Sequence, residues 1–307
     1  MAFRLRADES VRRGLRRLAK KELRSARERL ARSLPPSDEA IWEARKSIKK
    51  TRAIAELIGA DEGDRLKGSQ KRLRRINRTL SELRDADAMV ETIEKLRKAH
   101  PRLLSEHAFA CLHRRLTSRK ADAKRETRTD DEWARIDRQL RDVRRDVKRW
   151  RTAHRGAGAL TGIRSTYRRG RKAMAAAARR QRAEDFHEWR KALKTLWYHL
   201  RLVEACAPRL RRDVRVLHDL ERWLGDEHNL AVLCAELSEQ GSLCDFDALR
   251  SAAERKQREL RRKTLDAAKP IYAAKPSDFL ASLEKAWRAW HRRHGRPRRR
   301  APRKRAA

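Results

Sequence analysis

One helix face occurs twice in this chain, 145 residues apart, and an internal repeat constrains the fold more than any local propensity does. The first copy is Trp42-Glu43-Ala44-Arg45-Lys46-Ser47-Ile48-Lys49-Lys50-Thr51-Arg52. The second is His187-Glu188-Trp189-Arg190-Lys191-Ala192-Leu193-Lys194-Thr195-Leu196-Trp197. Glu43, Arg45, Lys46 and Lys49 stand in register with Glu188, Arg190, Lys191 and Lys194, and Ile48 with Leu193. The repeat predicts two similar halves, each supplying a positive helix face to a shared site.

Helical spacing divides each copy into two faces. Ile41, Ala44, Ile48, Ala55 and Ile58 recur at intervals that place them on one stripe, as do Phe186, Trp189, Leu193, Leu196, Leu200 and Val203. These are the buried sides. The opposite faces carry Arg45, Lys49 and Arg52 in the first copy, and His187, Arg190, Lys191, Lys194, Tyr198 and Arg201 in the second. From His187 to Arg201 the cationic track runs about 21 Å. A solvated surface helix is the plain alternative, but such a face normally mixes signs, and here the acids are only Glu43, Glu56 and Glu188. Like charges one turn apart (Arg45/Lys49, Arg190/Lys194) disfavour an isolated helix by a few tenths of a kcal/mol. The expected partner is an anion.

Charge agrees with that expectation. The chain holds 82 Lys+Arg against 43 Asp+Glu, for a net charge of +39. Of the basic residues 61 are Arg, whose guanidinium forks onto phosphate oxygens, although codon bias also raises Arg content. Charge of this size speaks to partners, namely polyphosphate, nucleic acid or an anionic membrane surface. Eleven Gly and eight Pro in 307 residues, with Ala, Leu, Arg and Glu dominant, predict an all-α chain with thin, bundle-like cores. No apolar run approaches the ~20 residues that cross a bilayer, and Met1 to Arg6 lacks the apolar core of a secretory signal. Cys111, Cys206, Cys234 and Cys244 form no C-x-x-C pair and read as reduced core thiols. A cytoplasmic chain is expected.

Along the chain, Ser10 and Ser37 read as the starts of the first two helices, with Gly59 closing the second. Helices are expected over about 64–83, from after Asp87 to His100, and over 102–126 and 131–150. His154 to Gly158 reads as a linker between halves of about 5–150 and 160–293. The second half turns at Ala207-Pro208, breaks at Leu224-Gly225-Asp226 and continues in helices near 227–240, 245–268 and 277–294. Asp85 and Asp226 are expected to cap the helices that follow them, with Asp87 and Asn229 at matching places. Residues 296–307 read as a disordered basic tail on a 1–295 domain.

Five motifs together resemble the CHAD family, the conserved histidine α-helical domain. They are Glu43-Ala-Arg-Lys-x-x-Lys-Lys, Leu83-Arg84-Asp85-x-Asp87, Tyr167-Arg168-x-Gly170-Arg171, His187-Glu-x-Arg-Lys-x-x-Lys-x-x-x-Tyr198 and Leu224-Gly225-Asp226-x-x-Asn229-Leu230. The resemblance covers roughly residues 5–293. It implies two four-helix bundles related by a pseudo-twofold axis, a basic groove or pore between them, binding of inorganic polyphosphate and, in bacteria, association with polyphosphate granules. The family's basic site residues fall on Arg45, Lys46, Lys49, Arg52, Arg168, Arg171, His187, Arg190, Lys191 and Lys194. The sequence departs from the family at position 42, where Trp replaces its first histidine.

The remaining chemistry is sparse. His187, set among Arg190, Lys191 and Lys194, resists protonation unless an anion is present. It reads as a hydrogen-bond donor to phosphate, a metal ligand or a filler of the bundle wall. There is no H-E-x-x-H, Cys/His cluster, Gly-rich phosphate loop or nucleophile elbow, so no metal, cofactor or catalytic constellation is expected. An enzyme acting on polyphosphate or triphosphate would need clustered acids for Mg²⁺. The main alternative to polyphosphate binding is non-specific nucleic-acid binding, which the Arg-rich tail favours and the 5% aromatic content disfavours. The oligomeric state is not legible.

Overall fold

Ser10 and Ser37 start the first two helices as their positions predict. The Ser10 hydroxyl accepts from the Arg13 N–H at 3.3 Å and the Ser37 hydroxyl from the Ala40 N–H at 3.2 Å. The computed structural model describes residues 3–59, 64–101, 109–118, 130–150, 160–238 and 246–295, without the side chains at 64–65 and 82–87. The expected linker at 154–158, the tail at 296–307, Cys244 and the side chains of Leu83, Arg84, Asp85 and Asp87 lie outside the described residues.

Among the described residues the regular structure is helical throughout. The helices are α1 (Val11–Leu30), α2 (Asp38–Ile58), α3 (Asp64–Ala99), α4 (109–118), α5 (Asp130–Asp146), α6 (Thr161–Arg180), α7 (Ala183–Val203), α8 (Pro208–Ser238), α9 (Asp247–Ala268) and α10 (Pro276–His294). Short 3₁₀ turns follow α5 and α7. Gln181 ends α6 in the left-handed region (φ 54°), its N–H returning to the Ala177 carbonyl. No described helix is long and apolar enough to cross a membrane.

Helices α1, α2, α3 and α5 pack on one another; α6, α7 and α8 form a second run, with α9 along α8 and α10 against α6. The cores do not follow the chain order of the two halves. One joins α1, α2, α3 and α5 to α6, α7 and α10. The other brings Ile93 of α3 and Leu112 of α4 together with Leu233 of α8 and Leu249 and Ala253 of α9. Cys206 is buried, Cys111 and Cys234 are half-buried, and all three thiols are free.

Burial fixes how α2 and α7 are turned. Phe186, Trp189, Leu193 and Leu196 are fully enclosed, and Ile41, Ala44 and Ile48 nearly so. Each large side chain buried this way is worth about 1.5–3 kcal/mol, which sets the rotation of the helix and so aims its charged residues. The two helices meet directly. His199, wholly buried on α7, donates its Nε2–H to the Ala53 carbonyl of α2 at 2.8 Å. Burial holds that imidazole below its usual pKa and therefore neutral. Beside it, a Cβ on Gly162 of α6 would lie 2.7 Å from the Leu57 carbonyl oxygen, so the two backbones approach as only glycine allows. The N-terminal segment also reaches across, the Leu5 N–H donating to the Leu202 carbonyl at 2.8 Å.

Two expected breaks are absent. Helix α3 runs unbroken through 84–87, and α8 runs through Leu224-Gly225-Asp226. Asp85, Asp87, Asp226 and Asn229 therefore stand at positions inside helices, away from any helix start. Gly225 costs α8 about 1 kcal/mol relative to Ala, but Leu224, Leu230 and Leu233 on the same helix are buried and hold it. Gly225 also leaves room for the Arg190 guanidinium, 3.3 Å from where a Cβ would stand. Asp226 instead faces Lys95 of α3 at 3.7 Å.

Candidate anion-binding site

The stripes of α2 and α7 come together. Lys49 of α2 stands in the field of Lys194, Arg45 and Arg190, with Glu221 of α8 opposing them. Burial first, and then these cations, hold the Lys49 ammonium well below the usual lysine pKa. Among the described residues Lys49 makes no ion pair. Lys194 is bound to the Glu221 carboxylate, and Arg190 approaches the same oxygen at 3.8 Å. Burial also lowers Lys194, against the pull of Glu221. Burial alone would raise Glu221, but Lys194, Arg190 and Lys49 outweigh it and hold the carboxylate below its usual value. One acid thus answers three cations here. Arg45 is held at the edge of this cluster by the Ser81 hydroxyl at 2.7 Å and the Leu80 carbonyl at 3.2 Å.

Other residues of the stripes fall around this centre. Lys46 pairs with Glu43 at 3.1 Å and lies over the Trp42 ring at 4.5 Å, while Trp42 itself is 46% exposed. Lys191 is exposed and pairs with Glu188 at 2.7 Å. Arg201 stacks on Trp197 and Phe3. Arg52 is lowered by burial and by Arg74, with Glu56 opposing, and so belongs to a neighbouring patch on α2 and α3. His187 is half-buried, lowered by burial and by Lys191 and Arg190, and its ring lies tilted against that of His228 of α8 with centroids 4.4 Å apart.

Three expected site residues sit elsewhere. Arg168 and Arg171 are exposed on α6, and Arg171 acts on Tyr167 together with Arg209. Tyr198 is a correction to the open-face reading: it is only 2% exposed, with Phe3 packed against it edge-on at 6.1 Å. Its coverage comes from the N-terminal segment, which helical spacing does not register. Glu221 and His228 were not anticipated. Both lie on α8, outside the repeated stripe.

No group of three or more His, Cys, Asp or Glu that could hold a metal ion occurs among the described residues. What the arrangement can do is hold negative charge, through ammonium and guanidinium groups already stripped of part of their water.

A CHAD domain family model matches residues 61–238, more than half of the chain. The chain belongs to the CHAD family. The crystal structure of the CHAD domain from the plant Ricinus communis is similar over 94% of this chain and 95% of that one, with a TM-score of 0.56. At 18% identity that likeness establishes a shared CHAD fold and nothing finer. No curated protein matches. CHAD membership does not by itself make the chain an enzyme.

Proposed function

We propose that this CHAD protein binds inorganic polyphosphate through the facing stripes of α2 and α7, and that this capture holds it at polyphosphate granules. Lys49 carries the reading. A largely buried ammonium with no ion pair among the described residues, pressed by Lys194, Arg45 and Arg190, is costly in the empty protein and is relieved by an incoming polyanion. The binding residues in this reading are Lys49, Arg190 and Lys194 at the centre, with Arg45, Lys46, Lys191 and His187 beside them. Arg52, Arg201, Arg168 and Arg171 extend the positive surface along a basic groove between two related halves, and Tyr198 supports the stripe from within. Each exposed contact is weak, so affinity comes from many phosphates engaging at once. No cofactor or metal is needed for such capture.

Non-specific nucleic-acid binding is the rival reading, resting on the Arg-rich 296–307 tail. A competition titration at physiological salt separates the two, using the full chain and a chain ending at Gly295. Polyphosphate is expected to displace duplex DNA at matched phosphate concentration, and truncation is expected to weaken DNA binding more than polyphosphate binding. A preference for DNA in the truncated chain would decide for the rival.

A further inference from the structure

The imidazoles of His187 and His228, tilted 36° to one another, take no part in the charge pairing described above. Their centroids are 4.4 Å apart, and neither ring makes a hydrogen bond among the described residues. The Nδ1 atom of His187 is enclosed without a partner. The charged groups around the pair are accounted for element by element. On α7, Arg190 and Lys191 face the rings, and Glu188 is taken up by Lys191. On α8, Asp226 turns to Lys95 of α3, and Glu227 is held by Arg261 and Gln257 of α9. Glu188 favours a protonated His187, but burial, Lys191 and Arg190 outweigh it.

Burial and these cations disfavour the protonated form of both imidazoles. His187 lies below its usual pKa, and burial, then His187, Arg190 and Lys191, bring His228 down to about 4. An anion held by Arg190 and Lys191 reverses the sign of the local field. We infer that His187 and His228 form a proton-linked contact for a phosphoryl oxyanion, uncharged while the site is empty and sharing one proton, taken from solvent, when it is filled. This rests on the polyphosphate reading and adds His228 to that site.

The sign of the pH dependence follows from linkage. The occupied site binds more protons than the empty one, so affinity rises as pH falls from 8 toward 5. It levels off once the empty pair takes its first proton, on His187, and His228 follows only at about 4.

The test is calorimetric titration of the full chain with long-chain inorganic polyphosphate at pH 6, in buffers of different ionisation enthalpy. Inner phosphates of the polymer do not titrate there, so proton exchange reports on the protein. Net proton uptake on binding is expected, with most of it lost in His228→Gln and in His187→Gln. At pH 8 the advantage of the parent over both variants should be smaller than at pH 6, because the bound site then takes up less of the extra proton. Unchanged uptake in both variants, or binding without uptake in the parent, would overturn the proton-linked contact and leave polyphosphate binding standing. Absence of polyphosphate binding at any pH would remove both.

Discussion

Glu221→Gln is expected to destabilise the anion-free protein by about 2–4 kcal/mol and to tighten polyphosphate binding about tenfold. Glu221 is the shared partner of Lys194 and Arg190, and all three side chains are largely enclosed, at 15%, 22% and 26% exposure. Taking away the carboxylate leaves Lys49, Lys194 and Arg190 facing one another without it. The same change frees Lys194 and Arg190 for phosphate. Lys49→Met should do the reverse on both counts. It removes an ammonium that burial and its neighbours disfavour, so the empty protein gains about 1 kcal/mol, while polyphosphate binding weakens about tenfold. Urea unfolding without ligand, set beside titration with polyphosphate, reads both quantities. If stability and affinity moved in the same direction in either variant, the cluster would be an ordinary structural salt bridge.

Arg261→Ala is expected to cost about 3–5 kcal/mol for a different reason. Glu227 is 1% exposed inside α8 and is held by the Arg261 guanidinium at 2.8 Å and the Gln257 amide at 3.1 Å. Arg261 also donates to the Gln181 carbonyl at 2.6 Å, tying α9 to the end of α6. Burial already raises the Glu227 carboxyl above its usual value, despite these partners. Without Arg261 a buried carboxylate is stranded. Adding Glu227→Gln to the Arg261→Ala background should recover more than half of the loss, since a neutral amide needs no counter-ion. An Arg261→Ala protein that unfolds within about 1 kcal/mol of the parent would mean that water or another cation reaches Glu227.

The residues readable in sequence were those whose roles repeat or are local. The buried stripes on α2 and α7 follow from spacing, and Ser10 and Ser37 follow from capping chemistry within one helical turn. The breaks expected at 84–87 and at 225–226 failed because Gly and Asp carry only a local preference. In α8 that preference meets buried leucines on either side, Lys95 across from Asp226 and Arg190 above Gly225. Lys95 comes from α3, far earlier in sequence, and Arg190 from the neighbouring α7. Tyr198 has the spacing of an open-face residue, yet Phe3, from nearly 200 positions earlier, covers it. Glu221 and His228 carry no motif of their own. They enter the site because α8 packs along α7.

The central claim is that the facing stripes bind polyphosphate as a site, beyond what a diffuse cationic surface would do. Two variants of equal charge change test it most directly. One carries Lys49→Gln and Arg190→Gln, which leaves the Lys194–Glu221 pair in place. The other carries Arg141→Gln and Arg145→Gln, whose ion pairs with Asp137 and Asp142 lie on the surface of α5. Polyphosphate affinity is measured for both across a salt series. Loss of about tenfold to a hundredfold and a shallower salt dependence are expected for the stripe variant, against a change within about twofold for the surface variant. Equal weakening of the two would contradict a site built from α2 and α7.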